Sequence, residues 1–390
     1  MVVTRPIVAP PSTCPGNCLR MSAFSRFTAL ISALPSTVPF VGPEAIERQR
    51  GRAVLARIGA NENGFGPAPS VLAAISEEAG NIWKYNDPEN FALREALGAH
   101  LGTSPANIAI GGGIDELLGQ IVRLVIEAGA PVVTSLGAYP TFNFHVAGFG
   151  GRLVTVPYLN DREDLDGLLD AVRRENAPLV YFANPDNPMG SWWDADSIVA
   201  FAKALPETTL MVLDEAYSET GPANSLPSIA ALIDLPNVVR TRTFSKAYGL
   251  AGSRTGYVIS TPGTAQAFDK IRNHFGMNRL ATAAALAALK DQAYLTEVVG
   301  NIHAARERIG RIARANGLEP LPSATNFVAI DAGRDGAYAR AIVDGLMEHG
   351  VFIRMPGVAP LNRCIRVSVG PEADMALFED ALPQVLKAIG

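Results

Sequence analysis

Hydrophobic positions along this chain recur in two ways. Over 70–79 and 89–101 they return every three or four residues, the spacing of one helical face. From residue 108 on, short continuous apolar runs alternate with helical stretches. The runs fall at 108–110, 131–134, 153–156, 179–183, 210–213, 238–243 and 256–260. Helical patterns at 114–128, 165–175 and 194–204 sit between many of them. Val/Ile/Leu runs without polar alternation belong to strands buried on both faces. Their alternation with helices predicts an α/β fold with a mostly parallel seven-stranded sheet between helices. Such sheets bind ligands beyond the carboxyl ends of their strands, so chemistry is expected just after these runs.

Past residue 280 the pattern changes. An Ala-rich helical stretch over 281–315 leads to a segment at 326–331, a helix near 336–349, strands at 351–354 and 364–369, and a terminal helix. This predicts a smaller α+β domain. The expected organisation is a disordered tail over 1–23, then a Pro-broken arm over 24–60 that packs with the small domain or a partner subunit. A large domain over 61–285 and a small domain over 286–390 follow. The first 20 residues read equally as sequence upstream of a start at Met21.

Composition narrows the function. The chain has 390 residues, 48% hydrophobic and 18% charged, enough for a substantial core without staples. A net charge of -5 without a long basic run argues against a nucleic-acid partner. Cys14, Cys18 and Cys364 make neither a disulfide framework nor, with no completing pair, a zinc site. They read as free thiols in a reducing cytoplasm. No apolar run approaches the roughly 18 residues of a membrane span, and no signal-peptide stretch opens the chain.

Four segments follow apolar runs and carry chemistry. Thr243-Phe-Ser-Lys-Ala-Tyr-Gly-Leu-Ala-Gly-Ser-Arg-Thr-Gly-Tyr257 places Lys246 just beyond a buried strand. Partial desolvation there lowers an amine's pKa and frees it to attack a carbonyl. Thr243, Ser245 and Arg254 supply donors suited to a phosphate. Leu210-Met-Val-Leu-Asp-Glu-Ala-Tyr217 ends a strand in Asp214, a buried carboxylate that needs a cationic or donor partner, with Tyr217 three residues on. Ala183-Asn-Pro-Asp-Asn-Pro-Met-Gly190 makes a turn that presents Asn187. Gly111-Gly-Gly-Ile-Asp-Glu116 opens a helix whose N–H groups, around Gly113, Ile114 and Asp115, suit an anion. Phe142 stands near the next strand end, either as a ring to stack on a planar ligand or as core. Taken singly, each segment also reads as an ordinary turn or helix cap. Their combined order is what selects the chemical reading.

Together with Asn61-Glu-Asn-Gly-Phe-Gly-Pro67, Lys84-Tyr-Asn-Asp87, Asn326-Phe327, Arg354 and Arg366, these segments resemble the fold-type I pyridoxal-phosphate aminotransferases. The histidinol-phosphate aminotransferase-like branch is the most similar, from about residue 55 to the end. The resemblance implies pyridoxal 5'-phosphate as cofactor, carried by Lys246, which also moves the substrate proton. It implies Asp214 on the pyridine nitrogen, Asn187 and Tyr217 on the ring oxygen, and Phe142 stacked on the ring. Gly113, Ile114, Asp115, Thr243, Ser245 and Arg254 become the phosphate cup. Tyr85 would reach the neighbouring subunit's cofactor, implying a homodimer. Arg366, Arg354 and Asn61 become substrate residues. The implied reaction moves an amino group between a donor such as histidinol phosphate and a 2-oxo acid such as 2-oxoglutarate. An aromatic amino acid donor, decarboxylation of a phosphorylated amino acid, and a catalytically inactive cofactor-binding homologue stay open. The sequence departs from the family's usual residues at Ile114, Asp186, Met189 and Asn63-Gly64.

Overall fold

A computed structural model describes residues 27–35 and 41–390. The expected tail over 1–23 and the choice between Met1 and Met21 lie outside the described residues. Met1–Ser36 and Thr37–Gly390 are separate units. The first contains a short helix, Ala29–Ala33, whose N-cap Thr28 hydroxyl accepts from Ile31 N at 3.3 Å.

In the second unit the strands are, in chain order, β1 (Ala56–Arg57), β2 (Ile108–Gly111), β3 (Pro131–Ser135), β4 (Arg152–Val156), β5 (Leu179–Ala183), β6 (Leu210–Asp214), β7 (Val238–Thr243), β8 (Gly256–Ile259), β9 (Glu319–Pro320), β10 (Phe327–Asp331), β11 (Val351–Phe352) and β12 (Cys364–Ser368). Seven of them form one sheet in the order β2-β8-β7-β6-β5-β3-β4. It is parallel except for β8, which runs against both β2 and β7. The exception has a local cause. Residues 244–255 join β7 to β8 with one 3-10 turn and no α-helix, so the connection lacks the helix that usually carries a parallel crossover. The register sets Ala183 opposite Asp214, and Asp214 opposite Thr241, so the ends of β5, β6 and β7 lie side by side.

The C-terminal part builds an antiparallel sheet, β12-β10-β9. β1 pairs in parallel with β11, so the 41–60 segment contributes Ala56 and Ile58 to the core formed by residues 298–385. The 281–315 stretch is two helices, Arg279–Lys290 and Gln292–Ala315. Asp291 ends the first and caps the second through Tyr294 N at 3.2 Å. A helix at Pro140–Gly148, not evident from the apolar spacing, follows β3. Among the described residues no helix is long and apolar enough to cross a membrane, and no group of His, Cys, Asp and Glu side chains could hold a metal ion. Cys364 is a buried free thiol.

β7 reads Val-Val-Arg-Thr-Arg-Thr, and its arginines do not face solvent. Arg240, 2% exposed, and Arg242 both donate to Glu215, the residue after β6. Arg240 also donates to the carbonyls of Ser228 and Pro227. A buried charge set of this kind satisfies each of its members.

Candidate active site

The ends of β5, β6 and β7 border a cleft lined among others by Asn61, Ile114, Asp115, Tyr139, Asp214 and Lys246. Lys246 enters it from the 244–255 connection. That loop lies tight against the segment after β1. A Cβ on Gly249, at φ +70°, would fall 2.6 Å from the Gly66 carbonyl oxygen, so only glycine fits. Lys246 Nζ donates to Asn61 O at 3.2 Å and lies 5.5 Å from the Tyr217 ring centre. Burial, reinforced by the positive charge of Arg366, pushes its amine down to about 8. A lysine so placed is partly neutral near physiological pH and able to attack an electrophilic carbon.

Asp214 ends β6 and is 4% exposed. Its carboxylate accepts from Tyr181 OH at 2.8 Å and from Ala216 N at 3.0 Å. Burial pushes its pKa up to about 6, and the Tyr181 and Ala216 donors limit that rise. One buried carboxylate facing a cavity suits a cationic N–H on a ligand. Tyr181 escaped the sequence reading because it sits inside an otherwise apolar run; a phenol in a strand next to Asp214 was the available signal. Tyr217 accepts from Asn61 Nδ2 at 3.0 Å, and Asn61 Oδ1 in turn accepts from Ser368 Oγ at 2.9 Å. Burial pushes the Tyr217 phenol up, keeping it neutral.

At one end of the cleft the helix Ile114–Val125 begins at Gly113, φ 90°, without a side-chain cap. A Cβ there would lie 2.4 Å from Arg254 Nη2. Arg254 Nη1 donates to Ser245 Oγ at 3.3 Å, and Thr243 Oγ1 donates to Ser245 Oγ at 2.9 Å. Helix N–H groups, two hydroxyls and a guanidinium thus converge where an anion would sit. Asp115 accepts from Tyr139 OH at 2.7 Å, and its Oδ2 lies 3.9 Å from Arg254 Nη2.

Beyond Lys246 a second cleft shares Asn61, Tyr139, Asn187 and Lys246 and adds Arg354 and Arg366. The chain brings the two arginines together through an isolated antiparallel bridge: Arg366 N donates to Arg354 O at 2.6 Å, and Arg354 N to Arg366 O at 3.2 Å. Arg366 Nη1 donates to Asn187 Oδ1. Burial pushes its guanidinium down to about 10.

One sequence expectation is corrected. Phe142 does not face the cleft. It lies in the core, 0% exposed, stacked on Tyr181 with ring centres 4.4 Å apart. The cause is the helix Pro140–Gly148: Tyr139 is its N-cap and lines both clefts, whereas position 142, inside the first turn, faces the sheet. Tyr139 is therefore the aromatic the sequence reading missed. Tyr85 lies outside both clefts, 78% exposed, its ring 4.7 Å from that of Phe275. Of the remaining predicted residues, all but Gly113 line one or both clefts, and Gly113 caps the helix beside them.

The arrangement fits a flat, aromatic, anionic ligand. It offers a buried carboxylate for a ring N–H, a phenol at a ring edge, an anion cup at one end and a depressed amine at the other. Comparison with known proteins agrees with that chemistry. The family described as aminotransferase class I and II matches residues 55–382. Histidinol-phosphate aminotransferase 1 of Nitrosococcus oceani is 36% identical over 345 residues, 88% of this chain and 92% of that protein. The crystal structure of histidinol-phosphate aminotransferase from Sinorhizobium meliloti in complex with pyridoxal-5'-phosphate superposes with a TM-score of 0.93 at 72% identity, covering 95% of this chain and 100% of that one. L-threonine-O-3-phosphate decarboxylase from Porphyromonas gingivalis shares the fold, with TM-score 0.72 at 19% identity over 85% of this chain and 99% of its own. By the extent of the family match and the identity to its relatives, the chain belongs to the class I and II aminotransferases.

Proposed function

We propose that this aminotransferase uses pyridoxal 5'-phosphate and takes histidinol phosphate as amino donor, with a 2-oxo acid such as 2-oxoglutarate as acceptor. The observation that carries the reading is the single cleft holding Lys246, Asp214 and the Gly113–Arg254 anion cup, continued into a second cleft with Arg354 and Arg366. The bound cofactor supplies an electron sink for the pair left at the donor's Cα. Asp214 holds the ring nitrogen protonated; Asn187 and Tyr217 hold the ring oxygen; Tyr139 packs on the ring. Ser245, Thr243, Arg254 and the helix start at Ile114 and Asp115 anchor the phosphate. Lys246, its amine held down by burial, would take the donor's Cα proton and hand it back on the cofactor side of the donor nitrogen. Arg366 and Arg354 bind the donor's anionic end, and Asn61 orders the Lys246–Tyr217 side of the cleft.

The chemistry of the second cleft suits a phosphate-bearing donor, because two adjacent guanidiniums match a dianion better than a single carboxylate. The names of the relatives point the same way. We also propose a cytoplasmic homodimer. Ile82, Trp83, Tyr85 and Phe275 are exposed at 68%, 78%, 78% and 52%, an apolar surface that a second copy would cover.

The test is a visible spectrum of purified protein with pyridoxal phosphate, followed as single donors are added. The expected result is a cofactor band that bleaches with histidinol phosphate and not with phenylalanine. Bleaching by phenylalanine alone would replace the donor, and a protein that takes up no cofactor would overturn the reading.

A further inference from the structure

Behind the turn that presents Asn187 lies a pair of carboxyl groups that the reaction leaves unused. Glu163, 1% exposed, precedes the helix Leu165–Glu175; Asp186, 2% exposed, lies in the turn after β5. Their side chains hydrogen-bond each other. Two carboxylates cannot do so, so one carries a proton. The remaining partners decide which. Asp186 accepts from Tyr158 OH at 2.8 Å and Met189 N at 3.1 Å, and it feels the positive charge of Arg366. Glu163 accepts from Ser135 Oγ at 2.8 Å and Ala183 N at 3.1 Å, with no cation among the largest influences on it. Burial, then the charge of Asp186, pushes Glu163 well above the usual carboxyl range. Asp186 is thus the carboxylate and Glu163 the acid that donates to it.

We propose that Glu163 and Asp186 share one proton and are positioning residues for the aminotransferase site, fixing the 184–190 turn so that Asn187 and its partner Arg366 keep their places. The groups facing the pair are Ser135 from β3, Tyr158 after β4, Tyr181 and Ala183 from β5, Met189 from the turn, Tyr217 after β6 and Arg366 from β12. The shared proton therefore ties β3, the chain after β4 and the turn into one unit. Its loss in alkali puts two like charges in a buried site and loosens the turn from which Asn187 meets Arg366.

The inference rests on the cofactor and substrate assignment above, and the test separates the two. Glu163→Gln keeps the shape and still offers an N–H to Asp186, but has no proton to lose. In the holoenzyme at neutral pH, its kcat and donor KM should stay within about twofold of wild type. On the alkaline side the wild-type KM should rise more steeply than that of E163Q, by at most about tenfold per pH unit for one proton, while the kcat profiles coincide. An infrared difference spectrum should show a buried protonated-carboxyl band in wild type that E163Q lacks. Coincident alkaline KM profiles, or a band that survives the substitution, would overturn the proposal. Should E163Q not fold, D186N serves. With the charge at 186 gone, Glu163 donates its proton to a neutral amide oxygen, so the protonated-carboxyl band should shift in frequency, and an unshifted band would be equally fatal. Wild-type protein that takes up no cofactor would instead overturn the cofactor assignment, with the infrared arm still reading the shared proton.

Discussion

Glu215→Gln should cost this protein much of its stability, although the substitution changes one atom. Glu215 is 0% exposed in its side chain, and its partners Arg240 and Arg242 are 2% and 13% exposed. Its Oε1 accepts from Arg240 Nε at 3.0 Å and Nη2 at 2.7 Å, and its Oε2 accepts from Arg242 Nε at 2.8 Å. A glutamine at 215 can accept on one atom only. Its amide would point an N–H at a guanidinium, strip buried Arg240 of its ion-pair partner and leave Arg242 only the weaker pull of Glu219. Breaking a buried ion set by removing one partner costs about 3–5 kcal/mol. The carbonyls of Ser228 and Pro227 still hold Arg240, and Arg242 reaches some water, which places the expectation at about 3 kcal/mol. Burial alone would raise the Glu215 carboxyl, but the two guanidiniums outweigh it and hold the pKa below the usual value. The stabilisation is therefore complete above the unfolded-chain value of about 4.3 and is lost as pH falls through the lower folded value. Urea unfolding followed by circular dichroism at neutral pH and in acid measures both. E215Q should lose about 3 kcal/mol at neutral pH and show less of the acid-linked loss. A neutral-pH loss under about 1 kcal/mol would refute the burial argument, because that is the range of exposed pairs.

Other expectations follow from the same geometry. Lys246→Ala should abolish turnover and the covalent cofactor band while leaving the fold intact by circular dichroism. The rate at which cofactor attaches to the free protein should rise with pH and level off above about 8, because a lowered amine pKa leaves the neutral form dominant above that value; stopped-flow absorbance reads it. Phe142→Ala should cost about 3–5 kcal/mol of stability as a core truncation. Tyr139→Ala should instead weaken cofactor retention with a small stability change, and the opposite pattern would restore Phe142 to the site. Arg366→Ala should raise donor KM far more than it lowers kcat, by an amount equivalent to about 2–5 kcal/mol for an unpaired anionic end. Steady-state kinetics across donor concentrations decide it.

Much of this protein was legible from the order of its residues. The apolar runs located the sheet strands to within a residue or so, because most are buried on both faces and read as Val/Ile/Leu; β7, with its two arginines, and the edge strand β4 depart from that signature. Lys246, Asp214 and Asn187 were found because each immediately follows a run, where this architecture places its ligands. Phe142 and Tyr139 were exchanged because they are three residues apart in one helical turn. Composition says an aromatic is present, and only the direction of the helix axis says which ring faces the cleft. Tyr181 lay hidden inside a run, its hydroxyl given meaning only by Asp214 on the adjacent strand. The sequence also marked Asp186 as unusual but could not say that Glu163, 23 residues earlier, would stand against it. The reason is general to this chain. Local periodicity and turn chemistry act over a few residues and are written in the sequence. Shared protons, buried ion sets such as Glu215–Arg240–Arg242, and the facing of one ring rather than its neighbour arise between segments that meet only when the sheet closes.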